Sequence, residues 1–413
     1  RQRQMCIRDR PLKGWWNDMK IRGSYGSLGN QVMDDLGNFP YLATYGTNSS
    51  YNYLINGSKP VIVKAPGLVA PDFTWETVTQ MDFGFDASFL NNRLTGTFDW
   101  YRRNTKDMLV AGATLPATLG ASVPKSNSAD MKTIGWELSL GWNDRLENGF
   151  SYWVKGVLSD YQATITKYAG NDAGFYSQSD GDGKYYVGQK IGEIWGYHSN
   201  GLFQSDDEAA TIDQSELYAG KWGAGDVKYE DLDNDGKITK GEETIYNPGD
   251  KSIIGNKTPR YQFGITVGFD YKNFDFEMFW QGTGKRDYML SGAQFWGFTS
   301  QWDVPYTPAL DYWTETNTDA YFPRPGWQNG GNRVTSDRYL QSAAYGRLKN
   351  LTVGYTIPKN LTTKWGISRL RLYVTGENLL TITPLNDAFD PETLGGMTYP
   401  INRKVAIGLN LTL

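Results

Sequence analysis

The chain ends in Ile401-Asn402-Arg403-Lys404-Val405-Ala406-Ile407-Gly408-Leu409-Asn410-Leu411-Thr412-Leu413. Val405, Ile407, Leu409, Leu411 and Leu413 fall on one face of an extended segment, and Ala406, Gly408, Asn410 and Thr412 fall on the other. Side chains alternate across a strand, so this stretch predicts a strand with one wholly apolar face. A membrane β-barrel is built of such strands, with apolar side chains toward lipid and small or polar ones toward the lumen. A soluble edge strand would usually carry a charge or a proline to block edge pairing.

The same alternation recurs upstream. Met81, Phe83, Phe85, Ala87 and Phe89 precede an Asn91-Asn92 turn, and Leu94, Gly96, Phe98 and Trp100 follow it. Ile134, Trp136, Leu138, Leu140 and Trp142 are matched beyond a short turn by Tyr152, Val154, Gly156 and Leu158. Tyr261, Phe263, Ile265, Val267 and Phe269 are matched by Phe274, Phe276, Met278 and Trp280. Short polar turns between alternating runs predict hairpins. With Tyr345–Thr356, Leu370–Leu380 and the last stretch, they predict roughly 10–12 strands of about ten residues, the length that crosses a bilayer obliquely.

Connections alternate in length. Short turns at 91–92, 143–149, 272–273 and 358–366 are expected to alternate with long polar segments at 31–71, 106–127, 160–259, 282–340 and 381–402. Such asymmetry belongs to a barrel with short turns on one side of the membrane and long loops on the other. Trp15, Trp16, Trp100, Tyr101, Trp142, Trp280 and Tyr355 are expected to form interfacial girdles.

Among 413 residues there are 47 Gly, 27 Tyr, 15 Trp and 18 Phe, which favours strands and turns over helices. A formal charge of −4 argues against a nucleic-acid partner. No apolar run is long enough for a spanning helix, which says nothing against a barrel. The only cysteine, Cys6, lies in residues 1–10, a segment without strand periodicity that resembles translated adapter sequence and is read as foreign to the fold. Beyond it there is no thiol chemistry to invoke. Residues 11–413 are read as one all-β, antiparallel unit.

Asp231-Leu-Asp233-Asn-Asp235-Gly236-Lys237-Ile-Thr239-Lys-Gly-Glu242 fits a twelve-position calcium loop. Carboxylates stand at positions 1, 3 and 5, a glycine at 6, the Lys237 carbonyl at 7 and Glu242 at 12. A hard Ca2+ ion needs many oxygen ligands, and crowded carboxylates repel without one. The bland reading is a solvated acidic turn. Clear amphipathic helices do not flank the loop, so any ion would be structural. Asn171, Asp172 and Asp180–Gly183 read as a loop tip. Ser205-Asp-Asp-Glu208 has capping-box spacing. His198 is the only histidine and reads as a loop or wall residue; no nucleophile motif accompanies it. No constellation argues for an enzyme. Trp296, Trp302, Trp313 and Trp327, with neighbouring tyrosines and amides, suit sugar stacking, or pack against one another to order a long loop.

Several ordered stretches resemble one family. They are Lys20-Ile-Arg-Gly-Ser-Tyr-Gly-Ser-Leu-Gly-Asn30, Phe89–Tyr101 with Thr105–Leu109, Thr133–Leu140, Gly225–Gly236, Ile253–Arg260, Arg347–Tyr355 and Tyr373–Leu380. Together they resemble SusC/RagA-type TonB-linked outer-membrane transporters over residues ~15–413. The resemblance implies the C-terminal half of a plugged barrel of about 22 strands. It implies import of oligosaccharides or peptides across a Bacteroidetes-like Gram-negative outer membrane. The implied partners are a SusD-like surface lipoprotein, the TonB complex acting through the N-terminal part, and outer-membrane lipid. Leu413 departs from the pattern, since such barrels usually end in an aromatic residue. The alternative is a soluble or surface-attached β-rich glycan-binding protein with a structural calcium site. Burial of Val405, Ile407 and Leu409 under a second sheet would mark that alternative.

Overall fold

The computed structural model describes residues 15–30, 41–48, 54–71, 73–111, 116, 118, 120, 123–169, 174, 185–395 and 398–413. The segment read as foreign and Asp172, Asp180 and Asp182 of the expected loop tip lie outside them.

Ten strands form one antiparallel sheet in chain order: β1 (Trp16–Asn30), β2 (Glu76–Phe89), β3 (Leu94–Ala111), β4 (Lys125–Arg145), β5 (Ser151–Tyr168), β6 (Arg260–Tyr271), β7 (Phe274–Lys285), β8 (Tyr345–Thr356), β9 (Arg369–Ile382) and β10 (Lys404–Thr412). Each strand pairs with its neighbours in sequence, and β1 and β10 are the two edges. The short turns stand where alternation placed them; at 272–273 two residues close the hairpin, with Lys272 at φ 56°.

The strands are longer than the alternation suggested. β3 runs to Ala111 and β5 to Tyr168, so parts of 106–127 and 160–259 are strand rather than loop. Past the apolar belt both faces of a strand meet polar surroundings. The two-residue signal fades there while the backbone ladder continues.

Register puts two kinds of surface back to back. Ile21, Phe85, Phe98, Leu138, Leu158 and Phe263 align across β1 to β6. Tyr152, Phe269, Phe276, Val353, Val374 and Ile407 align across β5 to β10. No second sheet covers them: Phe83, Leu140, Val353 and Val374 are all more than 40% exposed, and Ile407 is 83% exposed. A water-soluble sheet would bury this face. The sheet is therefore that of an antiparallel transmembrane barrel, and its apolar belt is the lipid face.

Aromatics mark the short-turn rim. Trp15 and Trp16 contact Phe89, Phe150 contacts Phe269 and Tyr271, and Phe274 contacts Tyr355. Trp142 donates to the Tyr152 hydroxyl at 3.2 Å. Trp100 and Trp280 differ from expectation, pairing instead with Trp136 and Ile265 well inside their strands. Tyr101 belongs to the opposite face, where Arg103 lies 6.0 Å from its ring centre. Sequence position along a strand does not mark where the membrane ends when the strand overshoots it.

The buried core lies elsewhere. Three long connections, between β5 and β6, β7 and β8, and β9 and β10, join into a cap at the other rim. Tyr229, Tyr339, Phe295, Val227 and Ile238 are fully buried there, joined by Leu385 and Phe389 from the last connection.

Candidate functional site

The polar face of the sheet carries ion pairs in place of apolar packing. Arg22 on β1 reaches Asp86 on β2 and Asp99 on β3, both at 2.8 Å. Arg371 on β9 donates to Asp275 on β7 with Nε at 2.9 Å. Thr352 and Thr375 share a hydroxyl contact at 2.8 Å. A cavity of about 580 Å³ opens on this face near the short turns, lined among others by Asp275, Glu277, Arg369 and Arg371. Charged walls of both signs belong to a water-filled lumen.

At the opposite rim the cap is held by buried polar ties. The Gln214 side chain donates to the Val227 carbonyl and accepts from the Tyr229 amide. Asn332 accepts from the Val227 amide at 2.8 Å and donates to Asp226 at 2.7 Å. Tyr229 donates its hydroxyl to the Gly331 carbonyl. Gly225, at φ +82°, lies under the Trp313 ring so closely that a Cβ would sit 2.5 Å from it. Arg347 on β8, almost fully buried, ties β8 to the last connection through Asp390 at 2.6 Å and Glu392 at 3.2 Å. Long loops do not order themselves. These ties satisfy the backbone groups that a packed loop takes out of water.

The four candidate tryptophans divide. Trp296 and Trp313 are buried in the cap core, where Trp296 packs edge-on to Tyr339 and Phe322. Their faces are occupied by protein. Trp302 is 83% exposed and Trp327 45% exposed, so these two keep an indole face open. Of the two uses the sequence left open, Trp296 and Trp313 take the packing one, ordering the loop from within.

The acidic loop also rearranges the expected set. The Asp231, Asp233 and Asp250 carboxylates lie within 4.8 Å of one another, while Asp235 and Glu242 are outside that group. Gly236 takes φ +86°, the turn for which the sequence reserved a glycine. Asp231 accepts from the amides of Asn234, Asp235 and Gly236 at 2.6, 3.2 and 2.8 Å. Those donors, Gly236 first, hold its carboxyl below the usual range. Asp233 is pushed up, chiefly by desolvation and then by Asp235, Asp250 and Asp231. The Asp235 side chain instead caps the Lys237 amide at 2.8 Å. Asp250, fully buried, closes the loop by accepting from Leu232 and Thr239, both at 2.7 Å. Sequence reading missed Asp250 because no spacing rule places a ligand eight residues beyond position 12. Three carboxylates this close form an all-oxygen, negatively charged set that fits a hard cation.

His198 is more than a wall residue. Its Nδ1 lies 2.8 Å from Asp337 Oδ2 and its Nε2 lies 2.7 Å from Ser252 Oγ. Asp337 only accepts, so Nδ1 carries a proton toward it, and Nε2 shares a hydrogen bond with the serine hydroxyl. Asp337 also accepts from the Ser199 amide at 2.9 Å. The histidine therefore ties the two longest connections together. Ser205 caps the short helix Asp206–Ala209, accepting from the Glu208 amide as its spacing predicts. The Glu208 side chain reaches back to the Gln204 amide at 2.7 Å.

Residues 12–379 match the family described as TonB dependent receptor-like, beta-barrel. Among curated proteins the chain is 29% identical to TonB-dependent receptor P3 of Formosa agariphila, over 95% of this chain and 39% of that protein. It is 26% identical to TonB-dependent receptor SusC of Bacteroides thetaiotaomicron, over 96% and 37%. The chain thus spans about two fifths of the length of these relatives. A structure of the RagAB peptide transporter superposes with a TM-score of 0.73 at 22% identity, covering 98% of this chain and 42% of that one. The RagAB importer in its "open-open" state gives 0.74 at 21% identity, covering 99% and 41%.

Proposed function

The chain belongs to the TonB dependent receptor-like β-barrel family and is of the SusC/RagA type, and from that premise we propose that it is the barrel portion of an outer-membrane importer of oligosaccharides or peptides. The observation that carries this reading is the pairing of surfaces. A lipid-facing apolar belt crosses all ten strands, and a charged, ion-paired wall lies behind it. The cap stands at the long-loop rim, where cargo would arrive. It would meet a SusD-like lipoprotein lid there, and the TonB complex would act on the part of the protein that precedes this barrel. The chemistry is binding and gated passage, not bond cleavage.

Ca2+ is the proposed ion of the acidic loop, with Asp231, Asp233 and Asp250 as its carboxylates. When bound it would neutralise crowded charge and stiffen the segment. The residues themselves cap backbone amides and hold the loop against the cap core.

The test is uptake. In cells carrying the full-length gene, labelled oligosaccharide or peptide should enter only with an intact TonB complex, and the protein should fractionate with the outer membrane. Recovery of the full-length protein in the soluble fraction, or uptake indifferent to TonB, would overturn the reading.

A further inference from the structure

We propose that the ribbon formed by residues 45–48 and 54–64 is a docking arm within the full-length protein. Its apolar side packs on the barrel portion that precedes β1, whatever cargo the barrel passes.

The ribbon belongs to the connection between β1 and β2. Thr47 pairs with Val63 and Asn48 with Ile62, and the Lys64 amide donates to the Gly46 carbonyl at 2.8 Å. At its tip Ile55 and Ser58 exchange backbone hydrogen bonds of 2.9 and 3.1 Å across a two-residue turn. Asn56 and Gly57 both take positive φ there, at 52° and 77°, the turn that an Asn-Gly pair favours. Local sequence thus shapes a hairpin. A two-stranded hairpin standing alone is only marginally stable in water, so this one needs a surface to pack on.

Among the described residues nothing covers its apolar side. Val61 and Val63 share one side of the ribbon, and Tyr45 lies two residues before Thr47, the partner of Val63. Tyr45, Val61, Val63 and Leu54 near the tip are all 60% or more exposed. The cap core begins at Tyr197 and takes no side chain from the ribbon. The return limb is fastened separately. Asn127 on β4 accepts from the Thr74 amide at 2.8 Å and donates to the Thr74 carbonyl at 2.9 Å. An apolar side held at a wet rim marks a contact surface.

The occupant follows from β1. No strand flanks its outer edge among the described residues, and an open backbone edge is not tolerated in lipid. The chain spans about two fifths of its relatives' length, which leaves barrel to pair there. A strand antiparallel to β1 descends from the rim at which the ribbon stands. The long connection ahead of that strand rises beside the ribbon, on the side away from β2. The cap is fed by connections from β5 onward and leaves that side free.

The experiment places p-benzoylphenylalanine at Tyr45 of the full-length protein, in cells that also carry its surface partners, and maps photoadducts by mass spectrometry. Adducts should fall in the same polypeptide, ahead of β1. Adducts to a separate protein, adducts to the cap, or no adduct would overturn the proposal. Val61→Cys and Val63→Cys give an independent readout, with other cysteines replaced by serine. In the purified full-length protein both thiols should react with a membrane-impermeant maleimide about 10-fold more slowly than Trp302→Cys, since a packed site labels only through local opening. Equal rates would overturn the proposal, and so would protection that appears only in whole cells, which would assign the ribbon to a separate partner. Heat-modifiable electrophoresis confirms that each variant is assembled. TonB-dependent uptake is measured apart from all of these, so the importer reading stands or falls separately.

Discussion

Asp250 illustrates how one residue sets a loop. Both its oxygens accept backbone amides that flank the acidic turn, and it is fully buried. Asp250→Ala leaves two part-buried donors without their partner and should cost the cap about 1 kcal/mol, read as faster amide exchange across 231–239. Asp233 plays the opposite part. Its carboxyl is raised by desolvation and by neighbouring carboxylates, so the ionised form is disfavoured in the ion-free fold. In that state its contribution is most favourable at low pH and is lost as pH rises through its raised value. A bound cation reverses the sign. Ca2+ affinity, measured by titration calorimetry, should therefore fall on acidification as Asp233 takes up its proton. Asp233→Asn should weaken Ca2+ binding while leaving the fold of the ion-free loop intact.

At the scale of the element, the strands separate two environments residue by residue. Val374 on β9 belongs to the belt and its neighbour Thr375 to the polar face. Val374→Arg should destabilise the folded barrel by about 2–4 kcal/mol at mid-membrane depth. Thr375→Arg should be far milder. Heat-modifiable electrophoresis of the full-length protein distinguishes the two, and equal effects would contradict the face assignment. The connections are elements in their own right. His198 joins the strand Ser199–Leu202 region to β-structure at Ser252 and to the loop at Asp337. Its side chain and that of Asp337 are each more than a third exposed, so their coupling in a double-mutant cycle should be small, up to about 1 kcal/mol.

The whole molecule divides into a sheet that lipid must solvate and a cap that solvates itself. Phe295 sits at the centre of the cap, edge-on to Trp296, Tyr321, Phe322 and Tyr339. Phe295→Ala should cost the cap about 3–5 kcal/mol and speed exchange there, with β1 to β10 unchanged. The sheet has the converse dependence. Its edges β1 and β10 have no strand beyond them among the described residues, and unpaired backbone in lipid costs several kcal/mol per group. Residues 15–413 expressed alone should fail to assemble in vesicles, whereas the full-length protein should assemble.

The alternating strands, their order and the long–short rhythm of connections were readable from the sequence, because strand periodicity is local and each hairpin pairs neighbours in the chain. The lipid face followed for the same reason, down to Val405, Ile407 and Leu409, which the structure leaves uncovered. Gly236 and the Ser205 cap were readable too, since each serves backbone within a few residues. What only the tertiary structure decided depends on contacts across long separations. Trp296 and Trp313 went to the core while Trp302 and Trp327 stayed outside, though all four sit in one connection of similar composition. Asp250 entered the acidic cluster and Glu242 did not. Periodicity is silent where a chain folds back on itself irregularly, and there packing decides which face of a side chain meets protein and which meets solvent.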